Sequence, residues 1–168
     1  IERYEELPPT VVQHTLLTLA SAHFANGNTT EAQRRFRDGL CMAQELGVPL
    51  EQRLPFFEGC AECAEKTCDL SESTFYRQQI RRIVEHSSND PCTVATARLN
   101  HAISIKNAHL EFPKALRAKL KLSMKALRQR KRDPYCAELF PKAAAAIYWS
   151  GVKRRIRKKS MVEDLLLV

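Results

Sequence analysis

Residues 11–47 read VVQHTLLTLASAHFANGNTTEAQRRFRDGLCMAQELG. Apolar residues recur at three and four on either side of one interruption, the pattern of two amphipathic helices joined by a turn. In the first helix, opened by Pro8-Pro9-Thr10, the stripe is Val12, Leu16, Leu19, Ala20 and Phe24. Asn26-Gly27-Asn28-Thr29-Thr30 stops it, because Gly and Asn accept the left-handed conformation that a helix end needs. Thr29 or Thr30 caps a second helix running to Leu46, with Ala32, Phe36, Leu40 and Ala43 inward, and Gly47-Val48-Pro49 closes the hairpin.

The pattern continues outward from this hairpin. A helix over about 50–66 leads through Cys68-Asp69-Leu70-Ser71 into another ending near Glu85. Ser87-Ser88-Asn89-Asp90-Pro91 is a loop and helix cap, followed by helices over about 92–108 and 113–131. Asp133-Pro134 repeats the cap before a helix over about 135–150, and Gly151 precedes a last one over about 152–159. Alternating β-type stretches are absent, so the expected class is all-α. Pro9, Pro49, Pro91 and Pro134 open hairpins at spacings of 40, 42 and 43. A second register, Ala20, Ala61, Ser104 and Ala146, falls 41, 43 and 42 apart. Together they predict an internal repeat of about 42 residues. The chain divides into a helical-repeat domain over 1–150, about 3.5 hairpins, and a basic C-terminal helix with a short apolar tail over 151–168.

The first hairpin resembles a tetratricopeptide repeat. The residues that carry the likeness are Leu16, Leu19-Ala20, His23-Phe24, Gly27-Asn28, Ala32, Phe36, Gly39 and Leu40, with His23 where an aromatic is usual. The longer second helix is similar to the long-period variant, about 40 residues instead of about 34. The likeness covers residues 10–47; in the second hairpin Cys68 and Ser73 replace the Gly and the key Ala, and in the third Glu111 and Leu116 do. It implies antiparallel helix hairpins stacked as a right-handed superhelix, with a concave partner groove. Its positions in the first repeat are His14, Leu17, Ser21 and Phe24, without the Lys/Asn clamp of chaperone-tail binders.

Composition narrows the function. With 168 residues, 44% hydrophobic and 27% charged, the chain is neither wholly disordered nor a disulfide-dense mini-scaffold. No run of 18 apolar residues suggests a membrane span, and no basic segment leads into an apolar signal core. The formal charge of +8 is uneven. Residues 1–112 carry 11 basic against 15 acidic side chains, residues 113–160 carry 16 against 2, and the last eight carry only two acids.

Nucleophile elbows, phosphate loops and HExxH elements are absent, so neither catalytic residues nor a cofactor is expected. Cys60-x-x-Cys63 with Cys68 nearby has a zinc-like bite but lacks a second knuckle, and is read as core rather than metal site. All six cysteines (Cys41, Cys60, Cys63, Cys68, Cys92, Cys136) are expected to be reduced, placing the chain in an intracellular, reducing compartment. Tyr148 and Trp149 are assigned to core packing, with interface contact as the alternative.

The basic end carries the functional expectation. In the helix from Pro113, Leu116, Leu120, Met124 and Leu127 form the apolar stripe. Arg117, Lys121, Lys125, Arg128 and Arg132 run beside it, one residue ahead, and Lys114, Lys119, Arg130 and Lys131 widen the row. Like charges at helical spacing repel by a few tenths of a kcal/mol, roughly, per pair, a cost that an external anion removes. Further on, Lys153, Arg154, Arg155, Arg157, Lys158 and Lys159 supply six cations in seven residues. The favoured ligand is nucleic acid, structured RNA in particular, held through its phosphates. Aromatic residues are too scarce here to indicate single-stranded base recognition.

The expected function is a non-enzymatic scaffold whose body docks on a protein partner while its basic helices contact RNA in a ribonucleoprotein assembly. The alternative is a protein–protein adaptor whose basic run is an import signal or binds an acidic partner. Glu163-Asp164-Leu165-Leu166-Leu167-Val168 reads as a short docking segment.

Overall fold

The structure is a computed structural model that describes residues 8–130 and 134–165, without the side chains of Pro9 and of 152–165. Among the described residues every regular element is a helix. They are α1 (Pro9–Ala25), α2 (Thr29–Glu45), a 3₁₀ turn (Leu50–Arg53), α3 (Leu54–Lys66), α4 (Leu70–Ser87), α5 (Pro91–Asn107), α6 (Lys114–Gln129) and α7 (Pro134–Leu165). No helix of the described residues is long and apolar enough to cross a membrane. The chain forms two compact units, residues 1–87 and 88–168.

In the first unit α1 packs on α2, α2 on α3 and α3 on α4, and α1 also reaches α3. Val12, Leu16 and Ala20 of α1 are buried as the stripe predicts, whereas Leu19 is 39% exposed. Packing on α2 and α3 covers only the narrow stripe, and Leu19 falls outside it. On α2, Ala32, Phe36, Gly39 and Ala43 are buried and Leu40 is half-buried. Two glycines let α2 and α3 approach. A Cβ on Gly39 would overlap the Phe56 ring, and one on Gly59 would overlap the Phe36 ring. Each helix thus inserts a phenylalanine over the other's glycine. The expected helix start at residue 50 is a 3₁₀ turn instead, and α3 begins with Pro55 in its first turn. A proline ring clashes with the carbonyl four residues back, so an α-helix cannot run through it undisturbed.

The second unit packs α5, α6 and α7 against one another. One apolar cluster joins Cys92, Ala95, Leu99, Leu127, Cys136 and Leu139; a second joins Ala102, Ile105, Leu116 and Leu120. Asp90 caps α5 as expected, its carboxylate accepting from the Thr93 amide at 2.8 Å. The expectation of six reduced thiols is corrected: Cys92 and Cys136 form a disulfide, with Cα atoms 6.0 Å apart and 44 residues of separation. Both lie in the first turn of a helix, and the packing of α5 on α7 brings these turns together. Cys41, Cys60, Cys63 and Cys68 are free. The inference from reduced thiols to a reducing compartment therefore loses its premise. Gly151 is not a break either: α7 continues through it, a glycine inside a helix costing only about 1 kcal/mol.

One turn recurs. After α1, α2, α3 and α5 the chain enters the left-handed region at Gly27, Gly47, Cys68 and His109. In each case the next amide donates to the carbonyl five residues back, as Asn28 to His23, Val48 to Ala43, Asp69 to Ala64 and Leu110 to Ile105. The turns that follow α1, α3 and α5 (Gly27, Cys68 and His109) are each 41 residues apart.

Candidate nucleic-acid interface

Helix α6 is amphipathic because its apolar residues keep to one side. Leu116, Leu120, Ser123 and Leu127 are buried, and Met124, expected in that stripe, is half-buried. Ser123 occupies the inner position because it finds partners there. Its hydroxyl donates to the Lys119 carbonyl at 3.2 Å and accepts from Arg98 Nη1 at 2.8 Å, so the buried oxygen is satisfied.

On the adjoining side Lys114, Lys121, Lys125 and Arg128 are exposed and have no acidic partner among the described residues. At a rise of about 1.5 Å per residue, Lys121 and Lys125 stand about 6 Å apart along the axis and the row extends about 21 Å. Arg128 also lies over the Phe140 ring of α7, 5.8 Å from its centroid. Arg130 pairs with Asp90 at 2.9 Å, and Lys142 pairs with Glu138, so these two cations are engaged within the chain.

Arg117 belongs to the predicted row but is half-buried. Its Nε is buried without a hydrogen-bond partner among the described residues, and a Cβ on Gly151 would come within 2.8 Å of its Nη2. The missing side chain at residue 151 gives the guanidinium its place between α6 and α7. Arg132 lies outside the described residues, as do the side chains of Lys153, Arg154, Arg155, Arg157, Lys158 and Lys159.

The aromatic pair at the end of the described part of α7 divides. Trp149 is half-buried and meets Phe112 edge-on at 5.9 Å, as a core residue would. Tyr148 is 75% exposed, which corrects its assignment to the core. Adjacent residues on a helix point about 100° apart, so the two neighbours cannot both face the cluster formed by α5 and α6. That rotation, measured from Leu139, Ala143 and Ser150, is the sequence signal that distinguishes them.

The positions expected to line a partner groove share one flank of α1. His14 and Ser21 are exposed, and Leu17 and Phe24 are half-buried. Phe24 is covered from α3 by the Lys66 ammonium, 3.7 Å from the ring centroid. Cys60 and Cys63 are fully buried in α3, and burial pushes the thiols up to about 12 and about 11, so both stay protonated. Among the described residues no three His, Cys, Asp or Glu side chains converge as metal ligands would. The acidic hub that sequence spacing does not reveal is Glu72, which accepts from Gln33 Nε2 at 2.7 Å and from Arg37 Nε at 3.1 Å.

Compared with known protein families, curated proteins and solved structures, the chain matches none.

Proposed function

We propose that the chain is a non-enzymatic helical-repeat scaffold that holds RNA by its phosphates. The observation that carries the reading is the row Lys114, Lys121, Lys125 and Arg128, solvent-facing on one flank of a rigidly packed helix and without internal counter-charges among the described residues. The cations stand about 4.5 to 10.5 Å apart along the axis, far enough for each to take a different phosphate. The dense cations of residues 153–159 extend the same chemistry along the sequence.

The tetratricopeptide-like architecture belongs to this reading. It is supported by the left-handed closures at residues 27, 68 and 109 and by buried positions that recur in the second helices. Ala32, Ser73 and Leu116 form one such set, and Ala43, Val84 and Leu127 another, the third hairpin carrying two extra residues in its turn. In this reading the chain is a subunit of a larger assembly that also contains a protein partner.

A salt titration of RNA affinity tests the proposal. The four phosphate contacts of the α6 row alone give affinity losses of about 50- to 150-fold between about 50 and 200 mM salt, and contacts from residues 153–159 would add to them. Combined reversal of Lys121→Glu, Lys125→Glu and Arg128→Glu is expected to abolish RNA binding and leave the helical circular dichroism unchanged. RNA affinity that is insensitive to salt, or intact in the triple variant, would overturn it. Loss of assembly with an acidic protein, with RNA binding retained, would assign the row to a protein adaptor instead.

A further inference from the structure

We infer that Tyr148 is a base-stacking platform beside the cationic row of α6, so that the RNA held there is single-stranded at this point. The inference rests on the phosphate-binding reading and goes beyond it by naming the form of the ligand, an unpaired stretch of RNA that the scarcity of aromatic residues in the sequence did not indicate.

Two contacts fix how α6 and α7 lie together. Arg128, near the end of α6, sits over Phe140, near the start of α7, and Arg117, near the start of α6, lies against Gly151. The helices are therefore antiparallel neighbours. The flank of α7 turned toward the cationic side of α6 carries Phe140, Ala144, Tyr148 and Gly151, at spacings of 4, 4 and 3. In this register Tyr148 stands level with Lys121.

Tyr148 is the most exposed large apolar or aromatic side chain among the described residues. Its neighbours one turn back are Ala144 and Ala145, both too small to cover the ring, and Ala145 is itself exposed. An exposed aromatic ring beside a cationic row is the arrangement expected of a contact surface. A phosphate on Lys121 would put the adjoining base within reach of this ring. Stacking on an aromatic face needs an unpaired base, since in a duplex both faces are already occupied. The same residue would thus favour a single strand over a helix of identical charge density.

The test uses the full chain and a labelled single-stranded RNA of about 15 nucleotides, with its duplex as the comparison, read by fluorescence anisotropy. Tyr148→Ala is expected to weaken single-strand binding by about 5- to 150-fold, with the salt slope and the duplex affinity unchanged. Tyr148→Phe should bind as the wild type does, because the ring and not the hydroxyl stacks. An effect of Tyr148→Ala that is absent, or equal on both RNA forms, would overturn the inference, as would Tyr148→Phe behaving like Tyr148→Ala. If the wild type binds both forms with no salt dependence, the phosphate reading itself fails. A normal salt slope with a silent Tyr148→Ala removes only the stacking platform.

Discussion

Residues 1–87 and residues 88–168 use helices of comparable kind, closed by the same left-handed turn, yet they treat charge in opposite ways. The first unit carries 9 basic against 13 acidic side chains and the second 18 against 6. In the first, Arg34 and Arg35 pair with Glu31, Arg37 with Glu72, Arg77 with Glu65 and Arg81 with Glu85. Its Arg53 donates to the Val48 carbonyl, and Lys66 rests on Phe24. The exposed pairs among them contribute at most about 1 kcal/mol each. Their consequence is a surface whose field is cancelled locally. In the second unit the acids of Asp90 and Glu138 are taken by Arg130 and Lys142, and the flank of α6 is left positive.

The units also differ in covalent closure, and breaking that difference has the largest expected effect. A disulfide across 44 residues stabilises by about 4 kcal/mol in the chain-entropy account. Cys92→Ser with Cys136→Ser, or reduction of the wild type, should lower amide protection in α5, α6 and α7 and leave α1 to α4 as they were. Hydrogen exchange reads both in one experiment. Equal loss in α1 to α4, or no loss in α5 to α7, would remove the contrast. A thiol titration sharpens the same point. Cys41 and Cys68 should react in the folded protein, Cys60 and Cys63 only on unfolding, and Cys92 and Cys136 only after reduction.

The first unit has no such bond and depends on fit. Gly39→Ala and Gly59→Ala would gain up to about 1 kcal/mol of helix propensity. Each added methyl would meet the ring of a buried phenylalanine that cannot swing away, and overpacking of this kind costs about 1–3 kcal/mol. The net expected change is destabilisation, seen as a lower denaturation midpoint with an unchanged slope. Phe56→Leu should recover part of the loss in Gly39→Ala but none in Gly59→Ala, which faces Phe36. Recovery in both variants, or none in either, would contradict the reciprocal insertion.

Much of this architecture was legible in the sequence, and the misses have physical reasons. Gly27 and Gly47 announced their turns because glycine accepts positive φ without cost; Cys68 and His109 make the same turn at a cost, so residue type does not reveal them. The disulfide was illegible because Cys92 and Cys136 meet only through the packing of α5 on α7. Gly151 reads as a break by composition, whereas its role is to admit Arg117. The exposure of Lys114, Lys121, Lys125 and Arg128 follows from helical spacing, whereas the burial of Arg117 depends on α7 and Arg132 lies outside the described residues. Tyr148 and Trp149 are adjacent letters that only their phase against the buried stripe distinguishes.

The smallest expected effect concerns two carboxylates, one in each unit. The Arg34 hydrogen bond, helped by Arg35, holds Glu31 at about 2 instead of the ordinary 4.5, and the Thr93 amide and hydroxyl hold Asp90 below its usual range. A carboxyl whose folded-state value is depressed contributes stability above its unfolded value, and the contribution fades as pH falls toward the folded one. Glu31→Gln should therefore melt below the wild type near neutrality, with the gap closing between pH 4.5 and about 2. Asp90 offers a finer test, because its carboxylate both caps α5 and pairs with Arg130. Asparagine caps a helix nearly as well as aspartate, so Asp90→Asn should lose less than Asp90→Ala, and its residual loss should shrink in high salt as the Arg130 pairing is screened. A salt-independent deficit in Asp90→Asn would mean that the pairing with Arg130 contributes nothing to stability.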